Sequence, residues 1–248
     1  MCACEEDTLL RLANDDLRLL LESVGAPVDR CLEQLERYRV LLQAEAARTN
    51  ITKYRKPDEI VLYHFVDSLQ ALRCAGIARD GEVIDVGTGA GLPGVPCAIA
   101  RPGWRITLLD SRQRRGRLLE KVAWELLYGR ARVVLGRAET SAHSASERGR
   151  YDLVLARAVA PLPILLEITL AFLKPGGLLV THRGAAWRED LAMSGVALDA
   201  LWGQFVEALP YRLRAREAEH AVLVVRLSSL PDPRYPRSPS RIRRKPLL

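Results

Sequence analysis

At 248 residues and 48% hydrophobic content, the chain can bury one large α/β core with extensions, or two small ones, without disulfides. Five scattered cysteines (2, 4, 31, 74, 97) exclude a disulfide-built scaffold, and Cys2-x-Cys4 has no second pair to make a zinc site. They read as free thiols of a reducing cytoplasm, and no metal is expected. No apolar run approaches a membrane span, and the start Met1-Cys2-Ala3-Cys4-Glu5-Glu6 is acidic, unlike a signal peptide; a cytoplasmic protein without a membrane partner is expected. The net charge of +7 is uneven: +5 of it falls in residues 231–248.

In chain order, apolar residues first recur at helical spacing through Leu9, Leu10, Leu12, Leu17, Leu20 and Leu21. They do so again through Leu32, Leu35, Tyr38, Leu41 and Leu42. A third helix is predicted from about Asp58 to Leu72, with Pro57 in its first turn. Residues 1–80 thus read as a helical extension packed on an α/β core. From Glu82 the rhythm changes. Strand-like runs at 83–86, 105–109, 132–135, 152–156 and 178–182 alternate with helical runs at 94–100, 113–127 and 162–173. That alternation implies a parallel sheet with right-handed crossovers. A helix near 187–200 and strands near 204–209 and 220–227 complete a seven-stranded, mostly parallel, Rossmann-like sheet over residues 81–230. Residues 231–248 hold five of the fourteen prolines and six basic residues against Asp232, and read as an extended basic tail. It serves either as a solvated terminus or as a phosphate-contacting arm.

The most informative run is Val83-Ile84-Asp85-Val86-Gly87-Thr88-Gly89-Ala90-Gly91-Leu92-Pro93-Gly94. A short buried strand enters glycines at alternate positions, which let the backbone turn tightly and approach a ligand, and Pro93 stands where a helix would begin. Asp110, 23 residues past Gly87, ends the next strand at a spacing suited to ribose hydroxyls. Gly89-x-Gly91-x-x-Gly94 fits a dinucleotide fingerprint literally, but Gly87 is the glycine that follows the strand directly. Asp85 inside the strand end suits an ammonium group and would repel a pyrophosphate. The expected cofactor is therefore S-adenosylmethionine (SAM), leaving S-adenosylhomocysteine (SAH), with Asp85, Gly87, Gly89, Gly91 and Asp110 around it; NAD is the rival.

Ligands of such sheets lie beyond the carboxyl ends of the strands. Ala138 and Glu139 follow the third strand, where a SAM enzyme contacts adenine, although Glu139 also fits a first-turn acid facing the helix dipole. Arg157 ends an apolar strand and fits an acceptor-rich ligand at the pocket floor, or a guanidinium snorkelling outward. Arg112, Arg114, Arg115 and Arg117 oppose a helix dipole, so they suit phosphate binding or a merely solvated face. No Asn-Pro-Pro-Tyr-type sequence follows the fourth strand, and Pro96-Cys97 is misplaced for a cytosine nucleophile. An acceptor needing neither proton removal nor covalent attack remains, and guanine N7 qualifies. Catalysis then reduces to alignment, with Arg157 as positioner and no general base.

Together these residues resemble the bacterial 16S ribosomal RNA guanine-N7 methyltransferases of the glucose-inhibited division protein B family. The matching pieces are Asn50-Ile51-Thr52, His64-Phe65-Val66-Asp67-Ser68-Leu69, the glycine run from Asp85 to Gly94, Leu109-Asp110-Ser111, Gly136-Arg137-Ala138-Glu139 and Ala156-Arg157-Ala158-Val159-Ala160-Pro161-Leu162. The resemblance implies SAM-dependent methylation of one guanine in the decoding-region loop of the small ribosomal subunit. It assigns SAM contacts to Gly87, Leu92, Ala138, Glu139 and Arg157. It puts the His64 block near the substrate side of the pocket, where His64 and Asp67 share a helix face, either as substrate contacts or as a structural pair. RNA contacts are expected at His64, Arg112, Arg114, Arg115, Arg183, Arg237, Arg243, Arg244 and Lys245, in a protein acting as a monomer. Arg183-Gly184 departs from the Lys-Gly of many relatives, and Ser238 to Arg244 lacks a glycine often found there. A small-molecule methyltransferase and a non-catalytic ribosome-binding protein on the same fold are the alternatives.

Overall fold

Period-two alternation along the strands builds the interior of the computed structural model, which describes residues 3–214 and 216–248, with side chains from Asp7 onward. Cys2 lies outside the described residues and Cys4 is described by its backbone alone. The strands are β1 (Asp80–Val86), β2 (Gly103–Asp110), β3 (Ala131–Leu135), β4 (Tyr151–Arg157), β5 (Leu173–Arg183), β6 (Gly203–Tyr211) and β7 (His220–Leu227). They form one sheet in the order β3-β2-β1-β4-β5-β7-β6, with β1 to β5 parallel and β7 antiparallel to both its neighbours. Val83, Leu108, Leu155 and Val180 pack on one face of the sheet; Ile84, Leu109, Val154 and Leu179 pack on the other.

The first face is covered by α1 (Ala3–Ser23), α2 (Val28–Arg48), α5 (Gly94–Ala100) and α6 (Gly116–Leu127), with the 3-10 turn Gln113–Arg115 leading into α6. Leu17, Leu21, Leu35, Tyr38 and Leu42 from the N-terminal helices join the same buried cluster as Val95, Leu119 and Val122. The second face is covered by α8 (Leu162–Thr169), α9 (Trp187–Ala192), α10 (Gly195–Ala200) and the C-terminal segment, with α7 (Ala138–Ser141) following β3. Cys31, Cys74 and Cys97 are buried free thiols. Among the described residues no helix is long and apolar enough to cross a membrane.

Three elements depart from the spacing. The helix expected over 58–72 is broken into α3 (Pro57–Ile60), a π-helical stretch Val61–Val66, α4 (Asp67–Leu69) and a 3-10 turn Gln70–Arg73. The apolar residues recur at helical spacing throughout, so the wider turn follows from how Val61, Leu62, Phe65 and Val66 seat in the core. The helix expected over 187–200 is two helices, because Ser194 Oγ donates to the Asp190 carbonyl at 2.7 Å and closes α9 before Gly195 opens α10. The tail is the largest correction. Pro239 occupies the first turn of α11 (Pro239–Arg244), where its missing N–H is harmless, and the segment lies against the body rather than extending from it.

Candidate active site

The carboxyl ends of β1, β2, β4 and β5 lie level, since Val86 pairs with both Leu109 and Ala156, and Arg157 pairs with His182. Strand order reverses between β1 and its neighbours β2 and β4, so this row is the topological switch point. The glycine loop is stitched down there. Gly87 and Thr88 amides donate to the Leu109 carbonyl at 2.8 and 3.0 Å. The left-handed φ of Gly87 (+72°) and Gly89 (+63°) suits glycine, and a Cβ on Gly87 would meet Val159 Cγ2 at 2.8 Å. Tyr38, from α2, donates its hydroxyl to the Ala90 carbonyl at 2.6 Å, tying the N-terminal helices to the loop.

Asp85 is fully buried, and its Oδ2 accepts from Thr88 Oγ1 at 2.6 Å and from the Gly94 amide at 2.8 Å. Burial pushes its pKa up to about 6, against the lowering effect of those two donors. It therefore braces both ends of the loop through Oδ2, its Oδ1 is buried without a partner, and it lines neither of the two cavities beside the loop. Asp110 is likewise drawn into the loop. Its Oδ2 accepts from the Gly89 amide at 2.9 Å and Arg115 Nη1 at 2.6 Å, and its Oδ1 accepts from the Arg112 amide at 2.8 Å.

Two cavities flank the loop after β4 and share Val159, Ala160 and Pro161 as a common wall. The smaller, about 390 Å³, is lined by Gly87, Asp110, Ala138, Glu139 and the apolar Val86, Leu109, Ile164 and Ile168. The larger, about 640 Å³, is lined by Tyr54, Tyr63, His64, Asp67, Arg157, His182, Arg183, Asp190, Tyr211, Arg216 and His220.

Asp67 is the hub of the larger cavity. It accepts from Arg157 Nη1 and from the Tyr211 hydroxyl, each at 2.5 Å, while His182 Nε2 lies 2.9 Å from its carbonyl oxygen. Burial alone would raise the Asp67 pKa, but Arg157, His182 and Tyr211 hold it below the usual value. Burial pushes the pKa of His64 down to about 3 and that of His182 down to about 4, so both rings are neutral at pH 7. Ala158, just after Arg157, has a left-handed φ of +55°, uncommon for a residue with a Cβ. At the rim, Tyr54 and Tyr63 stand 4.9 Å apart, with the Arg216 guanidinium 4.1 Å from the Tyr63 ring centroid.

The structure gathers Gly87, Asp110, Ala138 and Glu139 around the smaller cavity, and His64, Arg157 and Arg183 around the larger. Gly89, Gly91 and Leu92 shape the loop between β1 and α5. Arg112 and Arg114 are exposed, but Arg115 is turned onto Asp110. Arg183 is paired with Asp190 and donates to the Ala160 carbonyl at 2.7 Å, so it buttresses the pocket wall instead of standing free for phosphate. Arg237 is bound inward to Glu167; Arg243, Arg244 and Lys245 are exposed on and after α11. Spacing did not reveal Tyr54, Tyr63, Tyr211 or Arg216. The only sequence signal was basic residues interleaved with tyrosines at 53–56 and 211–216.

A seven-stranded sheet with antiparallel β7 inserted between β5 and β6, and a glycine loop opening beside two cavities at the switch point, defines a Rossmann-like methyltransferase. Solved structures share that fold. The fibrillarin pre-rRNA processing protein of Methanococcus jannaschii superposes with a TM-score of 0.51 at 19% identity, over 63% of this chain and 70% of that one. TYW2 from the same organism, crystallised with AdoMet, gives 0.51 at 14% identity, over 65% and 75%. Residues 31–204 match the family model of GidB, rRNA small subunit methyltransferase G. The Ribosomal RNA small subunit methyltransferase G of Deinococcus deserti is 39% identical over 228 residues, covering 92% of this chain and 93% of that protein. Its counterpart in Alkaliphilus oremlandii is 36% identical over 219 residues, 88% and 92% of the two chains. The chain belongs to the rRNA small subunit methyltransferase G family.

Proposed function

We propose that this protein transfers the methyl group of SAM to N7 of a guanine in 16S ribosomal RNA, in the decoding-region loop of the small subunit. The observation that carries the reading is the pair of cavities meeting at Val159-Ala160-Pro161, one suited to a nucleoside and the other open, polar and rimmed by aromatic and basic groups.

The residues of the smaller cavity fit the cofactor. Gly87 leaves room where a Cβ would collide with Val159. Asp110 offers a carboxylate to ribose hydroxyls, and the first-turn amides of α7, at Ala138 and Glu139, have no acceptor inside their own helix. Val86, Leu109, Ile164 and Ile168 supply apolar faces for an adenine ring. When bound, the cofactor supplies an electrophilic methyl carbon on a sulfonium.

Guanine N7 carries a free lone pair in the neutral base, so the chain has to orient rather than deprotonate. Arg157 is the fitted positioner, because Asp67 fixes its guanidinium at the cavity floor and leaves donors for an acceptor such as guanine O6. His64 and His182 are neutral and add no charge beside a base that becomes cationic on methylation. Asp67 and Asp190 neutralise Arg157 and Arg183, so neither guanidinium stands uncompensated beside that base. Alignment accounts for the rate, through effective concentration and orientation. Arg216 lines the rim and Lys53 Nζ lies 5.0 Å from the centroid of the rim residue Tyr54, where a phosphate backbone would pass.

The test is to methylate small-subunit RNA with labelled SAM, then reduce it and treat it with aniline. Scission at a single guanine is expected. Methyl incorporation without scission overturns the N7 assignment, and no incorporation into RNA overturns the substrate.

A further inference from the structure

We infer that the C-terminal segment is a wall of the cofactor cavity, with Ile242 and Arg243 belonging to the binding set for SAM and SAH. This rests on the smaller cavity being the SAM site and extends that site to residues more than a hundred positions beyond the glycine loop.

The tail is held by a built-in anchor. Glu167 of α8, fully buried, accepts three hydrogen bonds from Arg237: from its amide at 2.9 Å, from Nε at 2.7 Å and from Nη2 at 2.6 Å. Arg148 donates to the carbonyls of Pro231 and Tyr235, at 2.6 and 2.8 Å, and His143 Nε2 lies 2.8 Å from the Pro236 carbonyl oxygen. Tyr235 and Ile242 are buried in the cluster that contains Val86, Leu109 and Leu165. These contacts carry the chain back over α8 to the mouth of the cavity, where Pro239, Ile242 and Arg243 line the space facing Gly87, Asp110, Ala138 and Glu139.

The chemistry of that wall suits a purine nucleoside. Ile164, with the edges of Ile168 and Ile242, gives an apolar lining for a ring face, and Ile242, only 2% exposed, seats α11 against it. Arg243 lines the same space as an exposed residue, and its planar guanidinium can stack on the ring or donate to a ring nitrogen. Arg241 and Arg244 are exposed, so α11 turns one side to the cavity and carries charge on the other. Arg237, meanwhile, acts as the rivet of the segment.

Hydrogen exchange on the full chain with and without SAH, and calorimetry of SAH with variants, test this. SAH is expected to slow exchange at 239–244 together with 87–94 and 136–140. Ile242→Ala should raise the SAH Kd several-fold, because α11 loses the buried side chain that seats Pro239 and Arg243 at the cavity. Arg243→Ala, at an exposed position that does not endanger folding, should raise it about threefold. Arg241→Ala should leave it unchanged. Protection at 87–94 and 136–140 without protection at 239–244, or wild-type affinity in Arg243→Ala and Ile242→Ala, overturns the tail assignment and leaves the cofactor cavity standing. Neither heat nor protection anywhere removes the cofactor reading and the tail assignment with it.

Discussion

Arg157 and Asp67, ninety positions apart in the chain, meet at 2.5 Å where the end of β4 crosses the broken helix after Pro57. This ion pair joins the strand that leads into the wall shared by both cavities to the segment that lines the larger one. Arg157 cannot be aimed without Asp67.

Asp67→Asn keeps an acceptor for Tyr211 but removes the charge that fixes Arg157. Turnover should fall by about 10- to 100-fold, the scale on which small misplacements act in alignment-driven catalysis. The SAH Kd should stay within about threefold. Losing one partner of a buried pair should also lower stability by roughly 3 kcal/mol. Steady-state methylation, calorimetry and thermal melting separate the three effects.

Tyr38→Phe deletes the hydroxyl that caps the Ala90 carbonyl from α2. An orphaned buried acceptor costs about 1–3 kcal/mol, and the glycine loop should loosen. The expected result is a several-fold weaker SAH affinity from a substitution in a helix that never reaches the cavity. Unchanged affinity in calorimetry would show that the N-terminal helices do not support the loop.

Gly89→Val places a β-branched residue at φ +63°. Left-handed backbone costs such a residue upwards of about 1–2 kcal/mol, so the loop should leave this conformation. The nearest side chain to the added Cβ is Arg115 at 3.5 Å, an ordinary contact, so the fold should survive. Circular dichroism should be native while calorimetric heat with SAH disappears.

Arg216→Ala strips a guanidinium from the Tyr63 ring at the rim of the larger cavity. RNA affinity should weaken and the slope of log K against log salt should shrink by about 0.7–0.9, one phosphate contact. The SAH Kd should not move. A salt series by filter binding decides it.

Acidification from pH 7 should lower the melting temperature. His64 and His182 titrate at about 3 and about 4 in the folded chain, through burial, below the ordinary 6.5. The unfolded chain therefore takes up protons first as pH falls through 6.5, and stability drops by up to about 1.4 kcal/mol per pH unit for each net proton. Asp85 acts oppositely between about 6 and its ordinary 3.8, because its folded pKa is raised. Two histidines against one carboxyl leave a net loss on acidification. His182→Gln should flatten the profile, as melts at fixed ionic strength would record.

The sheet was legible because its cause is local. Period-two apolar runs and the glycines at 87, 89 and 91 each act within a few residues, and the strand positions came from them. The π-helical turn at Val61–Val66 was not legible, since its residues carry an ordinary helical pattern and only packing selects the wider turn. The tail misled for a related reason. Prolines and arginines read as an extended basic tail until Glu167, seventy positions away, is seen to hold Arg237.

What the chain by itself determined was the alternation of strands and helices, the glycine loop and the chemical kind of the groups at the strand ends, all products of neighbours along the backbone. Which of those groups point into a cavity and which brace it depended on contacts between distant segments. Asp85 and Arg183 became supports, Asp67 became a hub, and Tyr54, Tyr63 and Tyr211 became pocket walls only in three dimensions. A side chain's partner is chosen by burial and charge across the fold, and those have no signature in local spacing.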